Sequence, residues 1–306
     1  MKKWVVKAVV QKGISIFPNK EKVNYFFQKH VTKGAILNDD YFELKLVHAR
    51  DHIQYFEKYK GDEIQSKNVL ELGTGWFPII PISLFLTGFD RIVSVDTQKW
   101  LSKQKIMDAL LRFRAWKDSG QLKSYLQIDP NRWEVIKHII KDADHLSLED
   151  ICTKMNFSFL IEDARNLPFE KESFDFICSN NTFEHIPKAI LKGILIEFKR
   201  LVKKQGVMSH FIDLSDHFAH FDKSITIYNF LRFSPIEWKW IDNSIQPQNR
   251  LRFVDYENMY HQLGIEYAKE QIRPGNLDNL NDLVIHKSFH GYSKAELAVS
   301  HGYLIS

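Results

Sequence analysis

Two patterns of apolar and polar residues alternate along the middle of this chain. One consists of short, continuous apolar runs, at 68–72, 91–95, 157–161, 174–179 and 206–212. Such runs, bounded by turn residues, predict strands that are covered on both faces, as in a parallel sheet. Between these runs, apolar residues recur at the spacing of a helix, for example over 78–86 and 190–201. This alternation predicts an α/β fold with a doubly wound, Rossmann-like and mostly parallel sheet.

The segments around this alternation have other patterns. The first sixty residues predict N-terminal helices, one of which would bury a face of Tyr41, Phe42, Leu44, Val47, His48, Ile53, Phe56 and Tyr59. Residues 97–155 are too long for one crossover and predict an insertion of two or three helices. After Asp213 the alternation stops, and only a helix near 256–263 and strands near 265–272 and 298–305 are expected.

These patterns together suggest how the chain is divided. We expect an N-terminal helical segment over 1–60 and one α/β domain over 61–306. Within that domain, 97–155 would be a helical insertion and 214–255 a polar and aromatic segment beside the ligand pocket.

Charge and cysteine usage restrict the class of protein. The 42 basic and 38 acidic residues give a net charge of +4, and no long basic run is present, so nucleic-acid binding is not expected. Lys7, Gln11 and Lys12 interrupt the partly apolar N-terminus, which favours a packing helix over a secretory signal or a membrane-surface anchor. Its apolar run is too short to span a bilayer. Cys152 and Cys178 lack metal or disulfide spacing, which is typical of the reducing cytoplasm.

A glycine-rich turn follows the first strand, in the stretch Glu71-Leu-Gly73-Thr-Gly75. Glycines allow a tight turn and a close approach of ligand to backbone, and Asp96 ends the next strand, where a carboxylate can accept both ribose hydroxyls. A dinucleotide fingerprint needs glycine or alanine at its sixth position, but Pro78 stands there and offers no N–H to a phosphate. The turn therefore favours S-adenosylmethionine, which has no phosphate, over NAD.

Three later segments complete this pattern: 162–169 (Glu-Asp-Ala-Arg-Asn-Leu-Pro-Phe), 173–177 (Ser-Phe-Asp-Phe-Ile) and 179–186 (Ser-Asn-Asn-Thr-Phe-Glu-His-Ile). Over about 68–213 the chain resembles the class I S-adenosylmethionine-dependent methyltransferases of the type 11 group. The resemblance implies that Glu71, Gly73 and Gly75 contact the methionine and ribose, Asp96 the ribose hydroxyls, and Asp163 with Ala164 the adenine. We add Thr74, Trp76, Thr97 and Asn180 to the expected cofactor site.

The turn also departs from the family at two positions. Phe77 stands where the family has its third glycine, and Trp76 is unusually large. The Trp76 ring could lie beside the sulfonium as a cation–π contact. Packing in the core is the favoured role for this ring.

The acceptor side is predicted from the stretch 210–222, which holds three His and three Asp residues. Transfer to oxygen or nitrogen can need a general base. We expect His217 to be that base, oriented by Asp216 or Asp213, with His185 as second choice and His210 as a substrate ligand. The alternative is a loop whose polar groups cap turns or face solvent. No metal is expected, because the spacing matches no recognised ligand set.

Arg250 and Arg252 could clamp a carboxylate or phosphate of the acceptor, or could be ordinary surface charges. The residues after 213 resemble bacterial methyltransferases of saccharide and cell-surface biosynthesis, through the stretches 213–218, 229–234 and 249–252. This resemblance implies methylation of a small-molecule or glycan-linked acceptor, at oxygen. A catalytically silent methyltransferase fold that serves as a binding subunit and an NAD-dependent oxidoreductase are the alternatives. The sequence indicates neither the acceptor nor the oligomeric state.

Overall fold

The chain forms one seven-stranded sheet with helices in the connections, as seen in a computed structural model that describes residues 2–16, 23, 36–62 and 64–306. The strands are β1 (Asn68–Leu72), β2 (Arg91–Asp96), β3 (Phe157–Ile161), β4 (Phe174–Asn180), β5 (Val202–Asp213), β6 (Ala268–Arg273) and β7 (His301–Ile305). Their order is β3-β2-β1-β4-β5-β7-β6. The reversal of order at β1 and β4 is that of a doubly wound sheet, so the predicted fold class is confirmed.

Twelve α-helices lie in the described residues and are numbered here in chain order. They are α1 (Lys3–Ile14), α2 (Asp39–Tyr59), α3 (Ile79–Leu86), α4 (Lys103–Asp118), α5 (Pro130–Lys141), α6 (Leu148–Lys154), α7 (Lys188–Leu201), α8 (His217–Phe221), α9 (Pro235–Ile241), α10 (Phe253–Gln262), α11 (Asp278–Asn281) and α12 (Lys294–Ala298). None of the described helices is both long and apolar enough to cross a membrane.

The contacts divide the chain into two compact units. Unit 1 comprises residues 1–36, 181–192 and 211–304, and unit 2 comprises residues 37–180, 193–210 and 305–306. The chain passes from unit 2 into unit 1 at two places, after β4 and within β5. Each unit has its own buried core and is described separately.

In unit 2 the parallel strands follow from sequence runs that are apolar on both faces. β1 is central, with Leu70 paired to Val93 of β2 and to Ile177 of β4, and all three side chains are completely buried. Asp175 of β4 is a buried charged residue in these strands. It accepts hydrogen bonds from the Asn68 amide at 2.9 Å and from Lys203 Nζ at 2.7 Å, which satisfies its buried carboxylate at the start of the sheet.

β7, the last strand along the chain, is antiparallel to its neighbour β5. Met208 and Ser306 exchange backbone hydrogen bonds of 2.7 and 2.9 Å, the reciprocal pair of an antiparallel ladder. β7 thus lies inside the sheet, between β5 and β6, and the sheet is mostly, rather than wholly, parallel.

In unit 1 an aromatic core joins α1 to the residues that follow β5. Trp4 and Ala8 of α1 pack with Phe218, Tyr228 and Trp238 in one buried cluster. The Trp4 amide also donates to Asp222 Oδ2 at 3.0 Å, and this bond satisfies an N–H of the first turn of α1. The described part of the N-terminus is therefore a packing helix of unit 1.

Some predicted details are wrong. In α2, Leu44 and Tyr59 are 47% and 37% exposed, while Leu46 and Ala49 are buried. The buried side chains follow a regular helical repeat from Phe42, and residue 44 falls on the opposite side of the helix. Ala298 ends a helix, and the last strand begins only at His301. Much of the predicted helix formation before residue 36 lies outside the described residues.

Candidate active site

The glycine-rich turn of unit 2 has the backbone shape that its sequence requires. Gly73 and Gly75 have φ angles of +82° and +69°, in the left-handed region that favours glycine. The Gly73 amide donates to Val95 O at 2.9 Å, which ties the turn to the end of β2. At Gly75 an added Cβ would meet only the Tyr41 hydroxyl, 4.0 Å away, so the backbone is open to a ligand on that side.

Two carboxylates lie at the ends of the strands beside this turn. Glu71 is 2% exposed and accepts a short hydrogen bond from Ser94, and burial raises the pKa of Glu71 to about 7. Asp96 accepts a hydrogen bond from the Gln98 amide at 3.1 Å, but burial still raises the pKa of Asp96 to about 6. A carboxylate has about four acceptor positions, so Asp96 retains capacity for two hydroxyl donors.

Trp76 is not a core residue, so the expectation of core packing is wrong for this ring. It is half-buried and contacts Trp100, with ring centroids 4.3 Å apart, while Lys105 Nζ lies 4.8 Å from its centroid. Phe77 enters the core instead, at 8% exposure. Among the other expected cofactor residues, Thr74 and Asn180 are buried and Thr97 is exposed.

Asp163 and Ala164 follow β3 in unit 2. The Asp163 side chain accepts from Arg165 Nε at 2.9 Å on both oxygens, and the hydrogen bonds from Arg165 lower the pKa of Asp163 to about 2. Ala164 is 4% exposed beside it. The pair thus consists of an ionised carboxylate that is already engaged by a guanidinium and a small buried side chain.

Unit 1 contains a compact group of histidines and carboxylates. Asp213, the last residue of β5, lies 3.5 Å from His217 Nε2 through Oδ2 and 3.2 Å from His301 Nε2 through Oδ1. Burial opposes the charge on each partner. The contacts between them outweigh burial, so the pKa of Asp213 is well below its usual value and that of His217 is raised. His217 is thus a strengthened base held by a carboxylate.

Glu184 and His185 lie close to His217, in the short 3₁₀ turn that follows β4. Glu184 is 2% exposed, and burial, with the charge of Asp213, raises its pKa to about 8. His185 Nδ1 contacts the Pro247 carbonyl at 2.6 Å, and its ring centroid is 5.0 Å from that of His217. One side-chain ligand atom from each of the three residues lies within 4.8 Å of the others.

The structure separates several residues that the sequence analysis had grouped. Asp216 does not orient His217: it caps α8 by accepting from the Phe218 amide at 2.8 Å, and it accepts from Asn229 Nδ2 at 3.1 Å. His210 is completely buried within β5 of unit 2, where Nδ1 lies 2.8 Å from Ser179 Oγ. It is a core residue, so the expectation that His210 binds substrate is wrong.

The predicted anion clamp is also wrong, because both arginines are used inside unit 1. Arg250 donates to the carbonyls of Phe230 at 2.9 Å and Phe233 at 2.7 Å. Arg252 is completely buried and donates to three carbonyls, those of Leu214 at 2.8 Å, Leu297 at 2.9 Å and Val299. Guanidinium groups that are used in this way hold loops together and leave no fork for an acceptor.

Two members of the unit 1 cluster were missed by the sequence analysis. Glu184 stands directly before His185, and its burial gave no sequence signal beyond the apolar Phe183 before it. His301 lies 88 positions after Asp213 and reaches it only because β7 returns beside β5. A contact between residues that are so far apart in the sequence depends on sheet topology and leaves no local sequence pattern.

The comparisons with known proteins bear on this arrangement. Residues 113–209 match a family model described as "Methyltransferase domain", a range that includes Asp163, Ala164, Asn180 and β4 but begins after the glycine-rich turn. No curated protein matches the chain in sequence.

The solved structures that are similar to this chain are distant from it in sequence. One is phosphoethanolamine N-methyltransferase 2 of Haemonchus contortus in complex with S-adenosyl-L-methionine, at 11% identity and a TM-score of 0.43, where the match covers 83% of this chain and 51% of that one. Another is the PH0226 protein of Pyrococcus horikoshii OT3, at 15% identity and a TM-score of 0.42, covering 84% and 89%. Similarity at this level does not transfer an acceptor or a catalytic residue.

Proposed function

We propose that the chain is a class I S-adenosylmethionine-dependent methyltransferase, an assignment supported by the methyltransferase-domain match over residues 113–209. We further propose that it methylates an oxygen of a small-molecule or glycan-linked acceptor, with His217 as the general base. The observation that supports this proposal is the contact of 3.5 Å between His217 Nε2 and Oδ2 of the buried Asp213. Since a hydroxyl is a weak nucleophile in its neutral form, transfer to oxygen gains from a base, whereas transfer to a free amine has less need of one.

In this proposal unit 2 holds the methyl donor. Gly73 and Gly75 let the donor approach the backbone, Asp96 accepts the ribose hydroxyls, and Asp163 with Ala164 contacts the adenine. The bound sulfonium supplies an electrophilic methyl group. Glu71 is buried behind the turn and hydrogen-bonded by Ser94, so it shapes the site electrostatically.

Unit 1 supplies the proton acceptor. As the bond from the acceptor oxygen to the methyl carbon forms and the carbon–sulfur bond breaks, the hydroxyl proton passes to His217. Asp213 stabilises the resulting imidazolium and holds the ring, the role that a carboxylate has behind a catalytic histidine. His301 is bound to the other oxygen of Asp213 and fixes that carboxylate. We further propose that the acceptor carries a sugar, and that the enzyme works in the cytoplasm.

The test begins with a panel of monosaccharides, sugar phosphates, nucleotide sugars and phenols, each incubated with S-adenosylmethionine while release of S-adenosylhomocysteine is measured. With an acceptor that responds, His217→Ala should lower kcat by about 10²- to 10⁴-fold, the usual contribution of a general base. The dissociation constant for S-adenosylmethionine, measured by calorimetry, should change less than about twofold, because His217 has no role in donor binding.

His220→Ala is the matched control. Its ring stacks on His217 with centroids 5.4 Å apart, but it contacts Ser215 rather than Asp213. Full turnover in His217→Ala would eliminate the proposed base. Tight binding of S-adenosylmethionine with no product from any acceptor would favour a silent binding subunit instead.

A further inference from the structure

The Glu184 carboxylate is a buried group that is poorly satisfied by hydrogen bonds. Among the described residues, neither of its oxygens has a hydrogen-bond partner of acceptable geometry. At 2% exposure it also has almost no access to bulk water. A buried carboxylate in this condition is costly unless it is protonated or bound to a cation. A bound cation would favour the ionised form of this side chain and offset the cost of burying it.

The two neighbouring histidines are oriented as metal ligands usually are. His185 Nδ1 donates to the Pro247 carbonyl at 2.6 Å, which places the proton on Nδ1 and the lone pair of the ring on Nε2. A metal-binding histidine typically donates its other ring N–H to a backbone carbonyl or a carboxylate in this way. His217 Nε2 is held by Asp213 at 3.5 Å, whereas its Nδ1 has a contact with Gln246 Nε2 at 3.5 Å, the outer limit of a hydrogen bond.

We propose that Glu184, His185 and His217 form a binding site for a divalent transition-metal ion of the Zn²⁺ class. One donor atom from each lies within 4.8 Å of the others, a separation that one ion at ordinary bond lengths can bridge. Two imidazoles and one carboxylate suit Zn²⁺ and its neighbours better than Mg²⁺ or Ca²⁺, which prefer oxygen ligands. Three protein ligands leave a fourth position open.

Asp213 belongs to the surroundings of this site and not to its ligands. It contacts His217 on one side and His301 on the other, the arrangement of a carboxylate behind a ligating histidine. With Glu184 it places two carboxyl groups close to the ion and offsets its charge.

The site does not depend on the proposed function, since ion binding needs neither donor nor acceptor. If both proposals hold, they are coupled through His217. A nitrogen that binds the ion cannot accept the acceptor's proton, so an occupied site would hold the enzyme inactive. Added Zn²⁺ would then inhibit methyl transfer, and a chelator would restore it.

The test uses the full chain, from which any purification tag has been removed. The protein is treated with a chelator, dialysed, and then titrated with Co²⁺ and Zn²⁺ in the absence of S-adenosylmethionine. Co²⁺ should produce visible absorption of a four-coordinate site at one ion per chain, and Zn²⁺ should displace it. Glu184→Gln and His185→Ala should each weaken binding by more than about 100-fold, since loss of an outer partner alone costs roughly 10- to 100-fold. Asp213→Asn should fall within that smaller range.

His138→Ala is the control, because His138 is exposed and belongs to unit 2. Thermal unfolding and circular dichroism verify that each variant is folded. The proposal is overturned if the folded wild-type protein binds no ion, or if Glu184→Gln and His185→Ala bind it as tightly as the wild type. A protein that binds the ion but has no methyltransferase activity would refute the proposed function and leave the metal site intact.

Discussion

Protonation of Asp96 should control how tightly the protein binds S-adenosylmethionine. The pKa of Asp96 in the free protein is raised by burial to about 6. The ionised carboxylate accepts the two ribose hydroxyls well, whereas the protonated acid has a donor of its own and fewer acceptor positions. Binding should therefore be strongest above pH 6 and should weaken as the pH falls through 6.

The size of this effect follows from the pKa of Asp96. At pH 5, one unit below a pKa of about 6, roughly one tenth of Asp96 is ionised, so the dissociation constant should rise about tenfold relative to pH 8. At pH 6 about half a proton should be released per donor bound, because the complex selects the ionised form. Calorimetric titrations from pH 5 to 8, in buffers of different ionisation enthalpy, measure both quantities.

Asp96→Asn separates this carboxylate from Glu71, whose pKa is about 7 and which titrates in the same range. The variant should bind more weakly at pH 8 and should lose the proton release that is seen at pH 6. The reasoning is refuted if the wild-type constant does not vary between pH 5 and 7, or if Asp96→Asn keeps the wild-type pH profile.

Two further predictions concern unit 1. Arg252→Met should lower the free energy of unfolding by about 3 kcal/mol, because three buried carbonyls lose their donor. Urea denaturation measures this change. As the control, Arg114→Met at an exposed position should change the free energy of unfolding by less than about 0.5 kcal/mol. Asp216→Ala should cost about 1 kcal/mol by removing the cap of α8. It should keep kcat within about twofold, while Asp213→Ala should lower kcat; the opposite ranking would restore Asp216 as the partner of His217.

The central sheet could be predicted almost completely from sequence. β1 and β3 have the predicted bounds, and β2 and β4 extend one residue further, to Asp96 and Asn180. Strands that are buried on both faces need continuous apolar residues, so pattern and structure coincide. β5 begins four residues earlier than predicted, at Val202, because Lys203 to Gln205 are extended but polar. A strand end that is only partly buried has no apolar run to identify it.

The donor side was more predictable than the acceptor side for a physical reason. Glu71, the glycines and Asp96 are placed by the local sequence at strand ends. The roles of residues after 213 depend on which distant groups they meet, as the contact between Asp213 and His301 illustrates. Arg252 could not be distinguished from a surface arginine by sequence, because its burial results from the carbonyls of three separate segments.

Two of the buried glutamates, Glu71 and Glu184, show why burial alone does not define a ligand site. Glu71 and Glu184 are both 2% exposed, and burial raises the pKa of each. Ser94 donates to Glu71, so the protein satisfies that carboxylate and needs no ion there. Glu184 has two histidines within ligand distance and no satisfied oxygen in the described residues. Folding tolerates an unsatisfied polar group where binding can offset its cost, so Glu184, rather than Glu71, should bind a cation directly.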